Sequence, residues 1–302
     1  INLDIKDPKR DVLRLIAAVP TINFLLNNEV KILILSHRGR PQGVDPSLSL
    51  EPLINMLSEK VGRKLEWFEN LRFDPREQQN DESLAQELGA KANFYVNDDF
   101  ATSHRKSASI VAITKFLPSY AGLLLEKEIK NLSRVLENPE HPLVMVIGGI
   151  KIDDKLGMIE HFLDKADYFL MGSAYIDLTN PLLKHPKVLL PTDWQGEGGK
   201  KLDIGPQTIQ NFSQIINSAK TVIWNGPLGQ CEDPRYLDGS KAIATAIVHS
   251  GAFSVIGGGD TSQLLNQLGL EEKFSFVSTG GGAMLEFLSG KKLPALAALE
   301  KS

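Results

Sequence analysis

The chain is poor in cysteine: Cys231 is the only one in 302 residues. No intrachain disulfide can form, which fits a reducing compartment. No apolar run reaches membrane-spanning length, so nothing points to a membrane protein. Basic residues are not in excess, and a formal net charge of -4 argues against a nucleic-acid binder. The opening Ile1-Asn2-Leu3-Asp4 is not a secretory signal. It does not begin with Met, which reads as trimming or as a start inside a longer chain. Internal repeats and low-complexity tracts are also missing. Hydrophobic residues make up 42% and charged residues 23%, ordinary values for a protein that buries a core. The length suits about two domains. The expectation is a cytoplasmic globular protein.

Glycine is the residue whose placement informs. Gly257-Gly258-Gly259-Asp260-Thr261 and Ser278-Thr279-Gly280-Gly281-Gly282 each follow a short apolar run, 252–256 and 274–277. Each precedes helical apolar spacing, Leu264, Leu265 and Leu268 in one case, Met284, Leu285 and Leu288 in the other. A strand that turns through glycines into a helix puts bare backbone N–H groups at a positive helix end, which binds phosphate. Two such turns suggest a polyphosphate or a phosphoryl group in transit. The plainer reading is that the glycines only permit tight turns.

Around them, short β-rich runs alternate with helical patterns. Strands are expected at 30–35, 94–96, 143–147, 168–171, 188–190 and 221–224, and a helix at 50–61 with Leu53, Ile54, Leu57 and Val61 on one face. This alternation predicts βαβ units and parallel sheets. A helical stretch at 120–136 reads as a connector holding the domain boundary. The proline-bearing Asn138-Pro139-Glu140-His141-Pro142 ends it.

In the first half, basic side chains follow apolar runs: Ser36-His37-Arg38-Gly39-Arg40-Pro41, then Glu69-Asn70-Leu71-Arg72-Phe73, then 97–105 with His104 and Arg105. Ligands of open α/β sheets bind beyond the carboxyl ends of strands. Arg and His gathered there would make a basic pocket for a small polyanion, unless they are ordinary surface charges. In the second half, Gly148-Gly149-Ile150-Lys151-Ile152-Asp153-Asp154-Lys155 follows a strand. Lys151 and Lys155 would share a helix face and could reach one phosphate chain, or simply lie on the surface. Trp224-Asn225-Gly226-Pro227-Leu228-Gly229, with Glu232 behind it, follows another strand. No common turn requires that string.

Together these strings resemble the phosphoglycerate kinase family along nearly the whole chain. They are joined by Arg14 with Ala17-Ala18-Val19-Pro20-Thr21-Ile22 and by Leu202-Asp203-Ile204-Gly205-Pro206. The histidine–arginine turn, the Trp-Asn-Gly-Pro string and the paired triplets are the most specific. The resemblance implies an α/β fold of two Rossmann-like parallel-sheet lobes joined by a connecting helix, with a cleft between them. Residues 1–121 would form the triose-binding lobe and 122–290 the connecting helix and nucleotide lobe, with 291–302 returning to the first. It implies a glycolytic phosphotransferase with a carboxyl acceptor, working between 1,3-bisphosphoglycerate and Mg-ADP, 3-phosphoglycerate and Mg-ATP. Its partners would be these small molecules, with no nucleic acid and no membrane, and the enzyme a monomer closing about a hinge. Asn2, Arg14, His37, Arg40, Arg72 and Arg105 would hold the triose. Lys151, Lys155, Asn225, Pro227, Glu232, Gly257, Gly258, Gly259, Asp260 and Thr261 would meet the nucleotide, with Asp260 also meeting Mg2+. Arg14, Lys155 and the turns at Gly258 and Gly281 would act on the moving group.

The chain departs from the family pattern at Asp99 and Ala101, where a small residue and glycine are usual, and at Cys231, where an aromatic is usual. It is also short. A first strand before Ile1 and stretches within 5–9, near Lys64-Leu65, after Gly172 and between Thr192 and Leu202 have no counterpart here. The expectation is that segments of a longer protein are omitted; real deletions would favour an inactive relative that binds nucleotide or a partner. A dinucleotide-binding oxidoreductase would need its glycine turn after the first strand and an acidic residue further on. The triplets lie near the C-terminus instead.

Overall fold

The computed structural model describes residues 1–5, 13–149, 152–172 and 180–301. The chain forms two compact units, Ile1–Ile129 with Lys292–Ser302, and Lys130–Lys291.

In the first unit, α1 (Leu13–Asn27), β1 (Leu33–Ile34), α2 (Glu51–Val61), β2 (Glu66–Trp67), α3 (Pro75–Gln78), α4 (Glu82–Gly89), β3 (Tyr95–Asn97) and β4 (Ser119–Ala121) follow one another. β1 pairs in parallel with β2, and β3 in parallel with β4, as two separate pairs. The strand expected at 30–35 shrinks to two residues. Val30 N–H turns back to Leu25 O and closes the end of α1. The α2 helix presents Leu53, Ile54 and Leu57 to a core shared with Leu15, Ala18 and Ile22 of α1.

The connector begins later than its apolar spacing implied. Tyr120 lies in β4, opposite Val96, and the helix α5 (Leu123–Glu137) starts after Gly122. Asp98 sets that start: its Oδ1 accepts the Leu124 and Leu125 N–H groups at 2.9 and 3.2 Å. Such a cap is worth about 1 kcal/mol. A Cβ on Gly122 would lie 2.2 Å from the same oxygen, so only glycine fits. The boundary between units falls within α5.

The second unit adds β5 (Leu143–Ile147), α6 (Leu156–Phe162), β6 (Tyr168–Met171), β7 (Val188–Leu189), an antiparallel pair β8 (Trp194–Gln195) and β9 (Asp203–Ile204), α7 (Pro206–Asn217) and β10 (Thr221–Asn225). It ends with α8 (Asp238–Ser250), β11 (Phe253–Gly257), α9 (Gly259–Gln267), β12 (Phe276–Val277) and α10 (Gly281–Leu288). Its main sheet runs β12-β11-β10-β5-β6-β7, every pair parallel. Every residue of β5 and β10 is buried. That explains the continuous run Leu-Val-Met-Val-Ile in β5, because a central parallel strand is covered on both faces. α7 buries Thr208, Phe212 and Ile216, four apart on one face. The last helix, α11 (Pro294–Leu299), belongs to the first unit, where Ala295 N–H donates to Ser103 O at 3.1 Å. No described helix is long and apolar enough to cross a membrane.

Asp203 ties the β9 end to α8. Its Oδ1 accepts the Ile204 N–H and its Oδ2 the Gly239 N–H, both at 2.8 Å. Burial pushes its carboxyl up to about 6, against the pull of those two N–H groups and helped by Asp238. A carboxyl raised in the folded state stabilises fully below its unfolded value, and that contribution is lost as pH rises through about 6. The stability of Asp203→Asn relative to the parent should therefore rise between about pH 4 and 7, by on the order of 3 kcal/mol. Urea denaturation of both proteins across that range measures it. A pH-independent difference would show that ionised Asp203 carries no burial cost.

Candidate active site

In the second unit, the chain leaves β5 toward β6 and β7 on one side and later fills β10, β11 and β12 on the other. β5 and β10 therefore flank the topological switch point, where open α/β sheets bind ligands at strand carboxyl ends. The segments after those two strands interlock through backbone. Gly148 N–H donates to Asn225 O at 3.0 Å, and Gly149 N–H to Pro227 O at 2.7 Å. A Cβ on Gly148 would lie 2.1 Å from Pro227 O. Gly226 has φ +90°, and a Cβ there would lie 2.3 Å from Gly148 O. Trp224 Nε1 donates to Gly226 O at 2.8 Å within the core, so the tryptophan of the Trp-Asn-Gly-Pro string clamps its own turn.

The two triplets meet. A Cβ on Gly281 would stand 2.9 Å from Gly258 Cα. Gly258, at φ +101°, precedes α9, Gly280 precedes α10, and neither helix start has a side-chain cap. The N–H groups of two helix starts are thus brought side by side, and a helix end of this kind attracts an anion. Thr261 is buried and its Oγ1 accepts Gly226 N–H at 2.9 Å, joining the α9 turn to the β10 turn. Asn225 Nδ2 is buried beside Gly257 and Gly258 with no hydrogen-bond partner among the described residues. Asp260 and Gly259 are exposed at the start of α9.

Lys155 is only 7% exposed, not a surface lysine. A Cβ on Gly149 would sit 3.3 Å from its Nζ, so the ammonium lies against the glycine turn. Burial lowers its pKa, against the opposing pull of Asp154 and Asp260. It ends a 3-10 turn, Asp153–Lys155, before α6 rather than lying within a helix. Lys151 lies outside the described residues. Glu232 is exposed and Pro227 half-buried. Cys231 packs toward Gly229 O and Ser240 Oγ, and burial pushes its thiol up to about 11, so it is not a reactive thiolate.

In the first unit, Asn2, His37 and Arg72 gather around the Asp4 and Asp99 carboxylates. Asp4 Oδ1 accepts Gly39 N–H at 2.8 Å, and its Oδ2 stands 3.6 Å from Arg72 NH1. Arg72 is buried and donates to Gly39 O at 2.6 Å. Arg105 is close enough to repel the Arg72 charge. Asn2 Nδ2 donates to Asp99 Oδ1 at 3.0 Å. His37 is buried with its Nε2 unpartnered among the described residues. Burial drives its pKa down to about 4, with Asp99 opposing and Arg72 assisting, so the ring is neutral at neutral pH. Arg14 NH1 donates to Asp4 O at 2.7 Å. Arg40 is exposed.

Three residues to which sequence reasoning gave no role in the site hold this cluster. Asp99 Oδ1 accepts Thr102 N–H and its Oδ2 the Thr102 hydroxyl at 2.6 Å. Burial alone would raise its pKa, but His37 and the N-terminal ammonium, then the Thr102 hydroxyl and Asn2, hold it low. The loop questioned for its Asp99 is therefore held by a local side-chain-to-backbone cap from Asp99 to Thr102. Asn70 ties the two basic turns together: Oδ1 accepts Arg38 and Arg72 N–H, and Nδ2 donates to Arg38 O and Leu48 O. Asp4 was missed because a carboxylate looks adverse in an anion pocket. Asp99 was noticed only as a departure.

Known proteins share this sequence and this fold. The family model for phosphoglycerate kinase matches residues 1–69, 63–179 and 187–291. A phosphoglycerate kinase of Fervidobacterium nodosum is 36% identical over 372 residues, covering 99% of this chain and 93% of that one. That of Thermosipho africanus is 37% identical over 372 residues, covering 99% and 92%. The 372-residue span against a 302-residue chain means these relatives carry segments that this chain lacks. The structure of phosphoglycerate kinase from Coxiella burnetii superimposes with a TM-score of 0.86 at 30% identity, covering 99% of this chain and 94% of that one. The enzyme from Pyrococcus horikoshii OT3 gives 0.87 at 27%, with the same coverage.

Proposed function

The chain belongs to the phosphoglycerate kinase family, and we propose that its first unit holds the acidic triose and its second the Mg-nucleotide of that reaction. The enzyme is a glycolytic phosphotransferase, moving a phosphoryl group between 1,3-bisphosphoglycerate and ADP to give 3-phosphoglycerate and ATP. The observation that carries the division is the meeting of Gly258 with Gly281 at two uncapped helix starts, with Lys155 buried against a neighbouring glycine turn. Neither acceptor oxygen needs a strong base, since a carboxylate and an ADP oxygen are already anionic. Catalysis is then positioning and charge stabilisation.

On this reading the N–H groups of the α9 and α10 starts and the Lys155 ammonium stabilise the moving phosphoryl group. Asn225 Nδ2 supplies a ready donor to the nucleotide phosphates, and Glu232 reaches the ribose. Asn2, His37, Arg40, Arg72 and Arg105 bind the triose anions, with Arg14 directed at the transferring group. Mg2+ arrives on the nucleotide. No group of three His, Cys, Asp or Glu fit to cage a metal occurs among the described residues. The exposed Asp260 carboxylate suits an ion that keeps its phosphate and water ligands. In-line transfer needs both substrates in one dry site, which is why hinge closure belongs to the proposal. A cytoplasmic, monomeric enzyme is the companion expectation.

The test is a coupled assay with 3-phosphoglycerate and ATP, titrated with Mg2+. Turnover with strict Mg2+ dependence is expected. A folded chain that binds ATP yet turns over neither direction would be the inactive relative instead.

A further inference from the structure

One hydroxyl ties the turn after β10 to α8. Leu228 N–H donates to Ser240 Oγ at 2.9 Å, and Ser240 stands in the first turn of α8. Both residues are buried, Ser240 completely. A buried N–H that loses its acceptor costs free energy, so this bond fixes where Leu228 sits. The same hydroxyl meets the chain again three residues on: Cys231 Sγ lies 3.9 Å from Ser240 Oγ and 3.5 Å from Gly229 O. Ser240 thus touches both ends of the segment 228–231, which runs from Pro227 to Glu232.

The surroundings leave that segment little freedom. Gly226 N–H donates to Thr261 Oγ1 at 2.9 Å, and Gln230 N–H to Leu202 O at 2.8 Å. A Cβ on Gly229 would lie 2.3 Å from Tyr236 O and 2.5 Å from Asp203 Oδ1, and one on Gly172 would lie 1.8 Å from the Leu228 side chain. Close packing resists movement of the segment toward β6, β9 and the residues before α8. The Ser240 hydroxyl resists the opposite movement, away from α8. Glu232 itself is exposed, so its aim depends on the chain that carries it.

We propose that Ser240 is a positioning residue for the nucleotide. It touches no substrate; it fixes the segment between Pro227 and Glu232 and thereby aims the Glu232 carboxylate at the ribose hydroxyls. The inference rests on the reading above that the second unit takes the Mg-nucleotide. A hydroxyl suits the task because it accepts the Leu228 N–H and keeps its own hydrogen to donate. Alanine would leave that N–H in the core without its acceptor. A merely structural bond would weaken the use of both substrates alike. A positioning bond acts on the nucleotide alone, and only through Glu232.

The test measures KM for ATP and for 3-phosphoglycerate in the full chain and its variants. Ser240→Ala should raise the ATP KM about tenfold and change that for 3-phosphoglycerate by less than about twofold. In a Glu232→Ala background the same change should raise the ATP KM by less than about twofold, because the group it aims is gone. Ser240→Thr keeps the hydroxyl and should stay within about twofold of the parent. Ser240→Cys, in reducing buffer, keeps the shape with a weak acceptor and carries the same comparison should the alanine variant not fold. An unchanged ATP KM, an equal rise for both substrates, a threonine variant as impaired as alanine, or the full effect persisting without Glu232 would each overturn the proposal. Glu232→Ala alone keeps the two readings apart. If it leaves the ATP KM at the parental value, the nucleotide assignment of Glu232 fails and the proposal falls with it. If it raises that KM while Ser240→Ala and Ser240→Cys do not, only the proposal falls.

Discussion

Arg14→Ala is expected to lower turnover by about a thousandfold or more while changing nucleotide affinity by less than about threefold. Arg14 lies in the first turn of α1, and its NH1 is anchored on Asp4 O at 2.7 Å. Asp4 in turn is bound to Gly39 N–H and faces Arg72. The guanidinium is thus rooted in the cluster assigned to the triose. An arginine that meets a phosphoryl group only in the transition state affects kcat far more than ground-state binding. Lysine should not restore the rate, because an ammonium lacks the planar fork that matches phosphate oxygens. Initial rates and nucleotide titrations of the parent, Arg14→Ala and Arg14→Lys proteins decide this. If Arg14→Ala keeps its turnover, Arg14 does no more than anchor Asp4 O.

Gly148→Ala should destabilise the second unit by about 3 kcal/mol or more and abolish activity. The added carbon would lie 2.1 Å from Pro227 O and 2.6 Å from Gly226 O, both main-chain atoms that cannot swing aside. Separating the segments would also strain the Gly149 N–H to Pro227 O bond of 2.7 Å. Gly259→Ala is the contrast. It faces open space and has no positive φ, so stability should change by less than about 0.5 kcal/mol. Any loss of ATP affinity there would report crowding of the anion position itself. Denaturation curves and ATP titrations on both variants separate the cases. A Gly148→Ala protein of parental stability would mean that the β5 and β10 turns are not in backbone contact.

The fold class and the glycine turns were legible because their signals are local. Alternation of apolar runs with helical spacing reports strands and helices within a few residues. A glycine that must accept φ +101°, as Gly258 does, or close backbone contact, as Gly148 does, can be almost nothing else. The Trp-Asn-Gly-Pro string was readable as unusual, yet its cause, the Trp224 bond to Gly226 O, needed the fold. The start of α5 was misplaced for the same reason: its apolar spacing extends back through Tyr120, but Asp98, reached across the β3–β4 pair, decides where the helix begins.

The sequence by itself determined that this is a two-unit α/β protein with strand-to-helix glycine turns and an arginine-rich first half, because periodicity and glycine geometry act over short range. Only the tertiary structure decided which charges act together. Asp4 reaches Gly39 and Arg72, Asn2 reaches Asp99 across 97 positions, and Gly281 rests on Gly258. It also decided that Lys155 and His37 are buried and thereby lowered in pKa. Desolvation and hydrogen-bond partnership depend on what packs around a side chain, and those neighbours come from distant parts of the chain.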